Sequence, residues 1–283
     1  MNRTTPLRTS AATAAALAAA VIAAGCGSED ASGSAGDGGR GDVDPSAQLY
    51  RVQATVLANG EHGPQICRTL AESMPPQCAG PDVVGWDWDD VRAHRARDTT
   101  YTDPLELVGT WDGRRFTLAE KPRPADGAAE PGAGADFDTP CTELKDGGKD
   151  PGASGDADHQ RVLREAEKMP GYAGSWLDGA IVNVRVADTR DGDGGPDAAE
   201  RALRDVWDGP LCVVGAEHTQ EELTRIQRQL DKDVEGLLTS GVDPVHNAVT
   251  LEVVAATPEL RRELDRTYGE DTVRLSGWLK PVG

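Results

Sequence analysis

Residues 105–120, LELVGTWDGRRFTLAE, contain the clearest fold signal in this chain. Asp112-Gly113 lies between two strand-like runs, and Asp-Gly in that setting is a strong signal for a β-hairpin with a two-residue loop. Leu49–Leu57 and Val83–Trp88 are further strand candidates. Several short strands bury their apolar faces by closing on one another. We therefore predict a small β-barrel-like domain over residues 48–120.

Residues 159–283 alternate helical and strand patterns. A second Asp-Gly pair, Asp178-Gly179, lies between two strand-like runs and predicts another hairpin. Thr219 and Glu222 form a capping box before apolar residues that repeat at helical spacing as far as Leu237. Hairpins and helices in this order predict a mixed sheet with helices mostly on one face, an α+β sandwich.

The segment between these two regions, residues 121–158, is rich in Pro, Gly, Ala and Asp and has little periodicity. Such composition is typical of a linker. The fold class predicted for the whole chain is therefore α+β, with a small N-terminal barrel joined by a linker to a C-terminal sandwich.

The first residues of the chain have the three parts of a secretory signal. A start with two arginines and no acidic residue is followed by an alanine-rich stretch and by small residues before Cys26. Residues 1–25 resemble a bacterial lipoprotein signal peptide with its lipobox, although Ala23 stands where Leu is the usual residue. An ordinary secretory signal, with Cys26 a chance thiol, is the alternative.

The resemblance implies that Cys26 is the lipidation site and the mature N-terminus. Its acyl chains, palmitate among them, would insert into membrane lipid and hold the protein on the extracytoplasmic face of the cell membrane. Residues 26–47 are rich in Gly, Ser and Asp and lack the apolar side chains that offset ordering entropy, so we predict a disordered tether.

Four cysteines follow Cys26, and an even number in an exported chain predicts two disulfides. We predict Cys67–Cys78 and Cys141–Cys212, out of three pairings that four cysteines allow. A zinc site is the alternative, but the spacings do not match paired zinc ligands. We therefore predict no metal and no cofactor.

The chain has 29 basic and 48 acidic residues, a net charge of −19. A field of this sign repels phosphates. The strands of the N-terminal region would suit an oligonucleotide-binding-like barrel, but the charge argues against nucleic acid as a partner.

Trp86-Asp87-Trp88 is the one run that suggests a ligand site. Alternate Trp side chains on a strand share a face and could stack on a sugar, with the carboxylate bonding its hydroxyl groups. The alternative is that the Trp residues belong to the core and Asp87 to a solvated strand end. His246-Asn247 is interpreted as a turn before a strand, and no known catalytic motif is present.

Two resemblances to known proteins are present. The motifs GPQIC (63–67), PPQC (75–78) and VGWDW (84–88) look like the first domain of uncharacterised secreted proteins from high-GC Gram-positive bacteria, which brings no activity. The motifs YAGSWLD (172–178) and GVDPVHNAV (241–249) resemble the pro-regions of streptogrisin-type and α-lytic-type secreted proteases. That resemblance implies an α+β domain that assists the folding of a protease and then inhibits it.

These observations predict a membrane-anchored, extracytoplasmic lipoprotein that binds an envelope protein, a secreted protein or a small ligand. They favour a binding protein over an enzyme. The alternative is a chaperone or inhibitor that acts in trans on a secreted serine protease. A carbohydrate-processing enzyme that uses the Trp86–Asp87–Trp88 run is a third hypothesis.

Overall fold

The computed structural model describes residues 46–125, 136–144, 155–189 and 194–283. The predicted signal peptide, Cys26 and nearly all of the predicted tether lie outside these residues. The described strands are β1 (Leu49–Ala58), β2 (Gln65–Cys67), β3 (Asp82–Val84), β4 (Ala93–Ala96), β5 (Thr99–Thr102), β6 (Leu105–Trp111), β7 (Arg115–Leu118), β8 (Arg123–Pro124), β9 (Tyr172–Asp178), β10 (Ile181–Ala187), β11 (Leu211–Ala216), β12 (Leu237–Asp243), β13 (Ala248–Ala255) and β14 (Val273–Pro281). The described helices are α1 (Asp156–Ala166), α2 (Pro196–Arg204), α3 (Gln220–Asp233) and α4 (Pro258–Tyr268).

Five strands of the N-terminal region close into a barrel, which confirms the predicted barrel-like domain. The closed order is β1-β2-β3-β7-β6 and back to β1, with β3 and β7 parallel. β1 can take part in both sides of the closure because it is long: Leu49–Ala54 pairs with β6 and Thr55–Leu57 pairs with β2. Alternate side chains of β1 point into the barrel, around the fully buried Phe116 and Leu107.

The hairpin predicted at Asp112-Gly113 forms, but its loop is longer than predicted. Trp111 pairs with Phe116, so four residues lie between this last pair of partners. The Asp112 side chain explains the longer loop, because its Oδ1 accepts hydrogen bonds from the backbone N–H groups of Arg114 and Arg115, at 2.8 and 2.7 Å. An Asp that bonds the backbone ahead of it favours such a turn.

The C-terminal half confirms the α+β prediction and contains the same arrangement twice. We call residues 156–216 the first unit and residues 220–281 the second unit. Each unit has a helix, an antiparallel hairpin (β9–β10 or β12–β13), a second helix and a last strand parallel to the central strand. The central strands point valine and leucine side chains toward the helices of their own unit: Val182, Val184 and Val186 in the first unit, Val249, Leu251 and Val253 in the second.

The predicted helix through Leu237 is too long. α3 ends at Asp233, Val234 has extended dihedral angles, and Gly236 has a φ of 68°. Leu237 then begins β12 and pairs with Val253. The apolar residues at the start of β12 therefore match helical spacing only by coincidence. The sequence prediction missed the β12–β13 hairpin for this reason.

The helices of the second unit cover one face of its sheet, and the other face packs against the barrel. Val254 and Leu279 belong to the barrel core, and β14 pairs with the start of β1 through Tyr50↔Pro281. Arg68, next to the barrel cysteine, forms an ion pair of 2.8 Å with Glu252 on β13. The eleven-stranded sheet therefore runs from the second unit into the barrel.

Residues 136–144 lie across the open face of the first unit. Cys141 is bonded to Cys212 on β11, and the indole N–H of Trp176 donates to the Phe137 carbonyl at 3.0 Å. The buried Thr139 hydroxyl donates to Asn183 Oδ1 at 2.6 Å. This part of the predicted linker therefore packs against the sheet. No helix among the described residues is both long and apolar enough to cross a membrane.

Candidate functional site

The structure brings Trp86, Asp87 and Trp88 together, but not on a strand as predicted. β3 ends at Val84, Gly85 has a φ of 75°, and Asp87 caps a short 3-10 turn by accepting the backbone N–H of Asp89 at 2.9 Å. The two Trp rings meet edge to face, with centroids 5.3 Å apart, and both pack partly buried against the barrel core. Their ligand-binding role stays a prediction.

All four cysteines in the described part of the chain are paired, as Cys67–Cys78 and Cys141–Cys212. This confirms the predicted disulfides. None of the four is therefore present as a thiol. Within the described ranges, no group of three or more His, Cys, Asp or Glu side chains is placed to hold a metal ion.

A cleft of about 570 Å³ lies where the first unit meets the second. One wall is β10 and the end of β11, which carry Arg185 and Gly215. The opposite wall is formed by the turn between β12 and β13, with His246, and by the turn that precedes β14, with Glu270. The cleft is partly open to solvent, so a ligand could reach it without opening the fold.

Arg185 joins the two walls of this cleft. Its Nε and Nη2 donate to the Val245 carbonyl at 3.1 and 2.6 Å, and its Nη1 donates to the Gly215 carbonyl at 3.0 Å. The guanidinium also lies over the Trp176 ring, 5.8 Å from its centroid. Burial lowers the pKa of Arg185 from its ordinary value, and the nearby Asp243 opposes this shift. The guanidinium stays charged, since an Arg pKa lies far above neutral pH.

Asn247 fixes the turn that forms the second wall. Its φ is 53°, a left-handed conformation that Asn tolerates better than most residues. Its side-chain oxygen accepts the backbone N–H groups of Glu217 and His218, both at 2.9 Å, and its amide donates to the His218 carbonyl at 2.8 Å. The interpretation of His246-Asn247 as a turn is confirmed, and the turn is bonded to the segment that leads into α3.

The hydrogen bonds of the two cleft histidines determine which ring nitrogen carries the proton. His246 Nδ1 lies 2.7 Å from Asp243 Oδ2, and an ionised carboxylate only accepts, so Nδ1 is protonated. The Thr272 hydroxyl donates to the Tyr268 carbonyl, so His218 Nε2, 3.2 Å away, donates to that hydroxyl. In the neutral state His246 Nε2 and His218 Nδ1 are therefore left as acceptors.

The mouth of the cleft is acidic. Glu217, Glu270 and Asp271 are exposed and line it. The lining residues include no Ser or Cys, and the hydroxyl of Thr272 is buried and already donated to a carbonyl. The arrangement therefore offers one cation at depth, two acceptors and three carboxylates, which are means of holding a polar ligand.

The sequence reasoning missed this cleft because its residues come from four separate segments. The motif YAGSWLD forms β9, and GVDPVHNAV forms the turn opposite it. These two motifs touch: a Cβ on Gly174 would lie 2.6 Å from Pro244 Cβ. The contact between the motifs was the available signal, but it could not be recognised without the fold.

A comparison of the chain with models of known protein families finds no match, and a search of curated proteins finds no relative.

Proposed function

We propose that this protein is a lipoprotein anchored through Cys26 to the extracytoplasmic face of the cell membrane, and that it binds a ligand without transforming it. The export pattern before Cys26 supports the anchor. The two disulfides support the compartment, because disulfides persist in oxidising environments outside the cytosol.

The cleft between the two C-terminal units is the single observation that carries the binding function. Its volume of about 570 Å³ lies in the range of small-molecule sites. A half-buried guanidinium with no ion pair among the described residues lines it beside carboxylates and imidazole acceptors. Charged groups that converge on a concave surface provide orientation and specificity for a ligand.

The anchor is tested by replacing Cys26 with Ser. We expect the wild-type protein to incorporate labelled palmitate and to sediment with membranes, and Cys26→Ser to lose the label and appear in the soluble fraction. A Cys67→Ser variant is the control, since it removes a cysteine and leaves the lipobox unchanged. Equal membrane association of wild type and Cys26→Ser would refute the anchor.

The binding function is tested on purified Cys26→Ser protein lacking residues 1–25. Thermal denaturation is measured against a panel of polar small molecules, and each stabilising compound is recovered and identified by mass spectrometry. We expect a compound that raises the melting temperature and is recovered unchanged. Recovery of a chemically altered compound would show turnover and would reject a purely binding role.

A second function is supported by the contact between the two motifs that resemble protease pro-regions. Both motifs lie at the junction of the first and second units, and residues 155–283 have the α+β architecture that the resemblance implies. On this proposal the protein assists or inhibits a secreted serine protease in trans. Refolding yield and residual activity of such a protease, measured with and without the protein, decide it. Unchanged yield and activity would remove this function.

A further inference from the structure

We infer, on the basis of the proposed binding function, that the cleft between the two units holds a small zwitterion, an α-amino acid or a short peptide. The ligand carboxylate lies at Arg185 and the ligand ammonium lies toward the acidic mouth.

The carboxylate position follows from the unused donors of Arg185. A guanidinium has five N–H donors, and the carbonyls of Val245 and Gly215 take three of them. Two N–H groups, one on each terminal nitrogen, are left. Both carbonyl partners are neutral, and although Asp243 lies near enough to favour the charged guanidinium, no carboxylate among the described residues forms an ion pair with it. An anion at this position would accept hydrogen bonds from the two remaining N–H groups and neutralise the charge. A carboxylate matches the planar guanidinium better than a spherical ion does.

The ammonium position follows from the rest of the cleft. In the neutral state, His246 and His218 each present an acceptor nitrogen, and Glu217, Glu270 and Asp271 add negative charge at the mouth. An ammonium group donates three hydrogen bonds and accepts none. It is therefore matched by acceptors and carboxylates and mismatched to Arg185, which fixes the direction of the ligand.

Other ligand classes fit the same residues less well. A phosphate ester or other polyanion would be repelled by the three carboxylates at the mouth. A simple amine would leave the Arg185 guanidinium without an anionic partner. A divalent cation lacks the set of three ligands in the described residues. A zwitterion satisfies the cation at depth and the anions at the mouth together.

The experiment measures binding by calorimetry to the Cys26→Ser protein lacking residues 1–25. The probes are glycine, L-alanine, L-glutamine and L-alanyl-L-alanine, with acetate and ethylamine as compounds that carry only one of the two charges. We expect at least one zwitterion to bind about tenfold more tightly than either single-charge compound. Acetate binding as tightly as every zwitterion would overturn the inference in favour of a plain anion site.

Two variants test the direction of the ligand. Asp271→Asn keeps a residue type that tolerates the φ of 62° at this position, and removes one charge from the mouth. We expect it to weaken zwitterion binding about three- to tenfold and to leave acetate binding unchanged or stronger. Glu143→Gln, which removes an exposed carboxylate outside the cleft, is the matched control and should change neither. Equal effects of both variants would contradict the assigned direction.

Arg185→Lys tests the carboxylate position. Because Arg185 also joins the two units, the melting temperature of the Arg185→Lys variant is measured first. If the variant is folded, zwitterion binding should fall at least tenfold. If it is unfolded, the Asp271→Asn result alone tests the direction of the ligand. Failure of every zwitterion to bind, while another compound binds without turnover in the thermal panel, would overturn this inference and leave the proposed binding function standing.

Discussion

Arg185 and Glu252 occupy the same position in the two C-terminal units. Val182 and Val249 are equivalent, because each pairs with the first residue of its parallel strand, and the two charged residues follow three positions later. Both point away from the helices of their unit. Arg185 reaches the second unit, and Glu252 reaches Arg68 of the barrel. The same strand position thus connects the first unit to the second through a cation, and the second unit to the barrel through an anion.

These two connections differ in strength because their exposure differs. The Arg68–Glu252 ion pair is partly exposed, with side-chain exposures of 44% and 23%, and such pairs contribute at most about 1 kcal/mol. Arg185 donates three hydrogen bonds to backbone carbonyls, and the two bonds to Val245 are partly buried, so removing the guanidinium would leave that carbonyl without its partner. We infer that Arg185 is the more important connection.

Glu222 provides a pH-dependent contribution at the start of α3. The hydrogen bond from the Thr219 backbone N–H, 2.9 Å long, holds the pKa of Glu222 below its ordinary value. A depressed folded-state pKa stabilises the fold above the unfolded-state value, and this stability is lost as pH falls through the folded-state pKa. We expect Glu222→Gln to lower the free energy of unfolding at pH 7 by less than about 1 kcal/mol, since the group is only partly buried and solvent screens it.

The measurement is urea denaturation of wild type and Glu222→Gln at pH 7 and pH 3. The difference should be smaller at pH 3 than at pH 7, because a larger fraction of the wild-type carboxyl is protonated at the lower pH. Glu221→Gln, one residue earlier and outside the capping box, is the control. A difference between wild type and Glu222→Gln that is the same at both pH values would contradict this account.

At the scale of elements, the features that carry a short sequence motif, a turn pair or a capping box, were predicted from the sequence. The two Asp-Gly hairpins, apart from the loop length at Asp112, and the capped start of α3 were predicted correctly because each depends on residues within a few positions. The end of α3, the strand β12 and the hairpin β4–β5 were missed although both hairpins join consecutive strands, because neither loop contains an Asp-Gly or Asn-Gly pair and the start of β12 continues the helical spacing of α3. The duplication was hidden because β12 was taken for part of the helix. Its two hairpin loops differ in length, with two residues between Asp178 and Ile181 but four between Asp243 and Ala248.

β9 touches the second unit through a glycine, and this contact predicts a sensitive position. Gly174 has a φ of 138°, and a Cβ there would lie 2.6 Å from Pro244 Cβ. We expect Gly174→Ala to destabilise the protein by about 1–3 kcal/mol through backbone strain, and to displace the wall of the cleft. Gly241→Ala on β12 is the matched control, because its nearest neighbour would lie at 3.4 Å and its φ is not positive. Equal melting temperatures for wild type and Gly174→Ala would show that the contact is not as tight as described.

At the scale of the whole molecule, the predicted and the observed organisation agree in class and differ in connection. The barrel and the α+β architecture followed from strand, hairpin and helix patterns along the sequence. The pairing of β14 with β1 did not, since residues 229 positions apart meet there, as in Arg51↔Lys280, and neither strand shows which partner it takes. The cleft was missed for the same reason: each of its segments is an ordinary turn or strand end, and only the packing of the two units brings Arg185 to His246.

The joint between the barrel and the second unit predicts that these two parts unfold together. Leu279 lies on β14, is 1% exposed and belongs to the barrel core. We expect Leu279→Ala to lower the free energy of unfolding by about 2–5 kcal/mol, and to reduce hydrogen-exchange protection in β6 of the barrel and in β13 of the second unit by similar amounts. Leu203→Ala, at a fully buried position of the first unit, is the matched control and should act most strongly on β10. Unchanged protection in β6 beside a loss in β13 would instead support two independent domains over residues 48–120 and 159–283, so this measurement decides the domain organisation.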